Sequence, residues 1–129
     1  MPVRLKFVKR STRTVAAVQL KLKTNGFTYR KWGALQRCKP GDWIVDNDGE
    51  VYTVDRSTFR RTYREVRSGV YLKTTPVWAE VTAGAGRVKT KEGMTDYRRG
   101  DYLVFNEKHG GDPYAVSPKN FKAMYRRAR

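Results

Sequence analysis

A seven-residue stretch occurs twice in this chain. Lys39-Pro40-Gly41-Asp42-Trp43-Ile44-Val45 returns as Arg98-Arg99-Gly100-Asp101-Tyr102-Leu103-Val104. A turn follows each copy, Asp48-Gly49 in one and His109–Gly111 in the other. A second extended run comes next: Val51-Tyr52-Thr53-Val54 matches Pro113-Tyr114-Ala115-Val116. An aromatic pair four residues apart closes each copy, Phe59 and Tyr63 against Phe121 and Tyr125. Upstream, Val15 and Ala17 match Val77 and Ala79 more weakly. Such self-similarity requires two copies of one supersecondary unit. The 129 residues suffice for one domain or two very small ones, and units of about 60 residues bury too little surface to stand alone. The copies are therefore expected to pack together as one body.

Each copy reads as strand, turn, strand, turn, strand, hairpin, helix. Asn25-Gly26 and Asp48-Gly49 supply the positive φ of tight hairpins. Turns every 8–12 residues suit a small barrel or a curled sheet. Asp55 and Ser117 stand where helix N-caps belong, and Pro118 occupies a first helical position. Gly69 is placed to end the first helix. The expected class is α+β: two repeated antiparallel barrel or curled-sheet units, SH3-like or PUA-like, each closed by a C-terminal helix. The first unit spans 1–68 with a helix over about 56–67, and the second spans 69–129 with a helix over about 118–128. The aromatic and aliphatic positions that recur in both copies, Trp43/Tyr102, Val45/Val104, Tyr52/Tyr114, Val54/Val116, Phe59/Phe121 and Tyr63/Tyr125, are the expected core.

The pattern Pro-Gly-Asp-aromatic-aliphatic-Val at 40–45, Gly-Glu-x-Tyr at 49–52 and Phe-x-x-x-Tyr at 59–63 resembles the small PGDYG-type domain of bacteriophage and bacterial genomes. A fainter echo lies at 100–104, 114–116 and 121–125. The resemblance implies two diverged tandem copies and a bacterial, or phage-encoded, cytoplasmic protein. It carries no active site, because the family has no established activity. Members often place glutamate after both helical aromatics. Here Arg60 and Arg64 stand there in one copy, and Lys122 and Arg126 in the other.

Charge points to a partner. The 28 Lys and Arg outnumber the 12 Asp and Glu, giving a net +16, and no acid precedes Asp42. Both halves are basic, so the excess is not one tail. Such self-repulsion calls for a polyanion, most simply RNA or DNA. The alternative is a phage-type accessory protein that binds an acidic surface of another protein. The one cysteine, Cys38, allows no internal disulfide and fits a reducing compartment. No apolar run reaches membrane-spanning length, so no membrane partner is expected.

Two constellations suit nucleic acid. Arg60/Arg64/Arg67 and Lys122/Arg126/Arg129 repeat an i, i+4, i+7 spacing, which would align each set on one helix face beside the buried aromatics. Arginine's planar fork matches phosphate oxygens, although basic residues also collect at helix C-termini for electrostatic reasons alone. Phe27-Thr28-Tyr29-Arg30-Lys31-Trp32 interleaves aromatics with cations, so Arg30, Lys31 and Trp32 could hold and stack an unpaired strand. Trp32 could equally be core.

Little speaks for catalysis, and a non-enzymatic module without cofactor is expected. Asp42 and Asp101 follow glycine at strand entries, where a carboxylate usually bonds local N–H groups. Asp46, Asp48 and Glu50 lack the rest of a calcium loop. His109 is the single histidine, and no metal-ligand spacing or phosphate-binding glycine motif is present.

Overall fold

The computed structural model describes residues 3–110 and 113–128. Among the described residues, alternating apolar residues and glycine turns resolve into fourteen strands and two short helices. Two five-stranded antiparallel sheets form the body. The first sheet runs in the order β6 (Glu50–Val54), β5 (Trp43–Asn47), β2 (Val15–Gln19), β8 (Val70–Lys73), β7 (Tyr63–Arg67). The second runs β13 (Tyr114–Val116), β12 (Tyr102–Phe105), β9 (Val77–Val81), β1 (Leu5–Lys9), β14 (Tyr125–Arg127). The strand pairs β5–β6 and β12–β13 are antiparallel, and each leads into a helix.

Two expectations about class are overturned. Strands make up 52% of the described residues and helices 11%, so the fold is mostly β rather than α+β. The sheets are open and none closes into an SH3-like or PUA-like barrel. Nor do helices close the units. Helix α1 spans Arg56–Thr62 and α2 spans Pro118–Met124, seven residues each, and both run directly into strands. Tyr63 and Tyr125, expected inside the helices, adopt extended backbone at φ −117° and −123°. The alternation Tyr63-Arg64-Glu65-Val66-Arg67 pairs with β8, and Gly69 at φ +75° turns a β-hairpin instead of ending a helix.

The helix starts follow the sequence. Asp55 accepts from the N–H groups of Ser57 and Thr58, and Ser117 from that of Asn120. Burial of Phe59 and Phe121 fastens each helix to its sheet; full burial of such a side chain contributes about 1.5–3 kcal/mol. The surrounding rings repeat as well. Trp43 stacks on Phe59 at 4.1 Å and Tyr102 on Phe121 at 4.0 Å. Phe59 meets the edge of Tyr71 at 5.1 Å, as Phe121 meets Phe7 at 4.7 Å. The Gly-Asp entries match too: Asp42 accepts from Lys39 N–H at 2.9 Å and Asp101 from Arg98 N–H at 2.8 Å.

The strands are exchanged between the halves of the chain. Strand β1 leaves the first half and inserts between β9 and β14 of the second sheet. Strand β8 follows β7 through the Ser68-Gly69 turn and inserts between β7 and β2 of the first sheet. The boundary expected near Ser68-Gly69 thus falls in a hairpin turn of the first sheet. Two further hairpins, β3–β4 (Phe27–Lys31, Ala34–Cys38) and β10–β11 (Gly86–Lys89, Met94–Tyr97), join each other across the halves. The fully buried Gln36 ties them, its amide donating to the carbonyls of Lys31 (2.9 Å) and Met94 (2.8 Å).

Candidate nucleic-acid interface

Register places side chains on two kinds of surface. The recurring aromatics face inward, toward the helices. The outer face of the second sheet carries a different set. Lys6 stands opposite Trp78, and Trp78 opposite Phe105. Beside that row, Glu80 stands opposite Leu103, and Val8 opposite Arg126. The Arg4 guanidinium lies 3.9 Å from the Phe105 ring centroid and donates to Glu80 at 2.7 Å. The Lys6 ammonium lies 5.9 Å from the centre of the Trp78 ring. Trp78 is half-buried and borders a groove of about 320 Å³ lined also by Arg61, Pro76, Glu107 and Lys108. Phe105 itself is buried beneath Arg4, so the result is one half-exposed indole, Trp78, with cations beside it, which can hold a flat base while the backbone phosphates reach ammonium and guanidinium groups.

The residues singled out in the sequence are spread over several surfaces. Arg60 sits in the last turn of α1, but Arg64 and Arg67 lie on β7. Lys122 is on α2 and Arg126 on β14. The expected basic helical stripe does not form, because the helices end before its second member. All five are exposed. Arg129 lies outside the described residues. Arg30 is exposed on β3, while Lys31 is engaged with Glu50 at 3.2 Å. Trp32 stands in the β3–β4 turn at φ +54°, followed by Gly33 at φ +83°, and its ring packs 5.8 Å from Tyr52. Tyr29 spends its hydroxyl on Thr53 at 2.6 Å. Of the sequence candidates among the described residues, only Arg126 belongs to the outer face of the second sheet. Trp78, Phe105, Lys6 and Arg4 were missed. A signal existed: Trp78 is an aromatic at an outward position where the first copy has Ala16.

Titratable groups cluster elsewhere. Cys38 is fully buried at the end of β4, and burial, reinforced by Asp42, pushes its thiol up. His109 is exposed in the β12–β13 loop. Glu92, in the β10–β11 turn, accepts the Asp55 N–H at 3.0 Å. Its burial, helped by the Asp42 and Asp55 carboxylates and opposed by Lys39, pushes it up to about 7. Burial would raise Asp55 as well. The hydrogen bonds from Ser57 and Thr58 and the ammonium groups of Lys91 and Lys39 outweigh it and hold that carboxyl well below the ordinary range. Among the described residues no group of His, Cys, Asp and Glu could hold a metal ion. No described helix is long and apolar enough to cross a membrane.

Comparison with known proteins yields no matching family model, no matching curated protein and no matching solved structure. The likeness to the PGDYG-type domain therefore rests on the motifs alone.

Proposed function

We propose that this protein is a binding module for single-stranded nucleic acid and that the outer face of the second sheet is its contact surface. One observation carries the reading: Trp78 lies in the middle of that face with Lys6, Arg4, Arg126 and Lys108 around it, on a chain of net charge +16. An open sheet face with a central aromatic suits an unpaired strand, whose bases can stack. A duplex hides its base planes and offers mainly phosphates. Neutralising about three phosphates would give a log–log salt slope near −2 on a single strand.

The test is affinity for mixed-sequence single- and double-stranded RNA and DNA at two salt concentrations, for the parent protein and for Trp78→Ala and Lys6→Glu. Preference for single strands, lost in Trp78→Ala, supports the proposal. Equal binding by Trp78→Ala, or no binding at low salt alongside a tight complex with an acidic protein, would overturn it.

A further inference from the structure

The two sheets face each other across a cleft of about 710 Å³. Four phenols line it from equivalent positions, Tyr52 and Tyr63 on the first sheet and Tyr114 and Tyr125 on the second. Burial raises all four above the ordinary tyrosine range, so each keeps its proton. Tyr114 and Tyr125 pair through their hydroxyls at 2.6 Å. Only one proton can lie between two such oxygens, so this pair leaves a second O–H to donate elsewhere.

Two lysines occupy equivalent positions on the exchanged strands. Lys73 donates to Asn106 Oδ1 at 2.8 Å and to the Tyr114 hydroxyl at 3.1 Å. Lys9 differs. Its side chain is 8% exposed and lines the cleft, with its ammonium 5.5 Å from the centre of the Tyr125 ring. Among the described residues it forms no ion pair and donates no hydrogen bond. The charge that acts on it is another cation, Arg13. A buried ammonium normally has a carboxylate or several acceptors around it. Among the described residues no acceptor lies within hydrogen-bond or ion-pair reach of this ammonium, although the carboxylates of Asp48, Glu50, Asp55, Glu92, Asp96 and Asp101 line the same cleft.

We propose that this cleft receives a small organic anion whose phosphate or carboxylate group sits on Lys9, with Lys73 and the tyrosine hydroxyls as further donors. The volume admits a ligand of metabolite size, and the tyrosine rings, together with Trp32 at the cleft wall, suit a flat or apolar body attached to the anion. Burial, with Arg13, lowers the Lys9 ammonium to about 8, so it is still mostly charged at neutral pH and an anion would offset its lost hydration. This site is inside the molecule and independent of the outer face assigned to nucleic acid.

The probes are inorganic phosphate, pyrophosphate and acetate, titrated into the full chain in enough chloride to suppress surface counterion binding. Two readouts are followed: calorimetry, and the rate at which Lys9 is acetylated at pH 8 by mass spectrometry. We expect one-to-one saturable binding by at least one probe and at least ten-fold protection of Lys9. Lys9→Met should fold with at least the parent's stability, since it removes a buried charge, and should weaken binding at least ten-fold. Lys73→Met should weaken it too, whereas the exposed Lys119→Gln should not. Tighter binding of phosphates than of acetate would assign a phosphate group, and the reverse order a carboxylate. Absence of saturable binding by all three probes, or unchanged binding in Lys9→Met, overturns the proposal.

Discussion

On the inner faces of the two sheets Val15, Val45 and Phe59 stand where Val77, Val104 and Phe121 stand, and both trios are buried. On the outer faces the counterparts differ. The row Lys6–Trp78–Phe105 of the second sheet corresponds by register to Val70–Ala16–Asp46 of the first. Val18, on the first sheet's outer face, is 61% exposed, and its counterpart is Glu80, which is engaged with Arg4. Packing demands the same side chains twice, because each short helix needs the same socket. Solvent makes no such demand. The difference therefore separates what holds the fold from what one copy has acquired for another purpose.

The comparison can be broken most severely inside. Phe59→Ala and Phe121→Ala should each cost about 3–5 kcal/mol in denaturant unfolding, by similar amounts, if the two sockets are equivalent. A difference above about 2 kcal/mol between them would show that the shared topology hides unequal packing.

The helix caps sharpen it next. Ser117 caps α2 with one bond to its own first turn, whereas Asp55 is wrapped by Lys39, Lys91 and Glu92. Glu92 binds its proton more tightly when folded than when unfolded. Its contribution is therefore full below the ordinary carboxyl range near 4.5 and is lost as pH rises through about 7. Glu92→Gln should leave stability at pH 4.5 nearly unchanged and raise it at pH 8 by about 2–3 kcal/mol. Thermal unfolding at the two pH values reads the difference, and no gain at pH 8 would place the ionised carboxylate in water.

The outer faces call for smaller effects. Trp78→Ala should weaken single-strand binding by about 1–3 kcal/mol with little change for duplex. Val18→Ser, on the corresponding face of the first sheet, should change neither binding nor stability by more than about 0.5 kcal/mol. Equal losses from the two substitutions would mean that both faces touch the ligand.

Much of the interior was legible in the sequence. The recurring aromatic pairs, the hairpin at Asp48-Gly49, and the caps at Asp55 and Ser117 depend on neighbours in sequence, and local chemistry dictates them; part of the turn expected at His109–Gly111 lies outside the described residues. The length of the helices was not legible. Arginines at i, i+4, i+7 fit an exposed helix face and a solvent-facing strand equally well, and pairing with β8 decided for the strand. The strand exchange was hidden for a sharper reason. Phe7-x-Lys9 and Tyr71-x-Lys73 present the same inward pattern, so either strand could complete either sheet. Repetition reveals a unit while erasing the information about which copy a segment joins. The candidate interface was hidden because the repeat reveals only what the copies share, whereas Trp78 is conspicuous only as a departure from it.

The exchange of β1 and β8 also sets an order of events during synthesis. The first sheet is drawn from one continuous stretch, Val15 to Lys73, and all its strands are available once that stretch has left the ribosome. The second sheet must wait. Its inner strand β1 is made before the others, yet Phe7 pairs with Val77 and with Arg127, on strands that are made only later. Contacts so far apart in the chain form slowly, and an unpaired apolar strand is exposed to misassembly meanwhile. The nascent chain thus carries its leading strand unsheltered past a finished first sheet. The basic, acid-free character of residues 1–41 keeps that segment hydrated and mutually repulsive between neighbouring chains until β14 arrives to close over it.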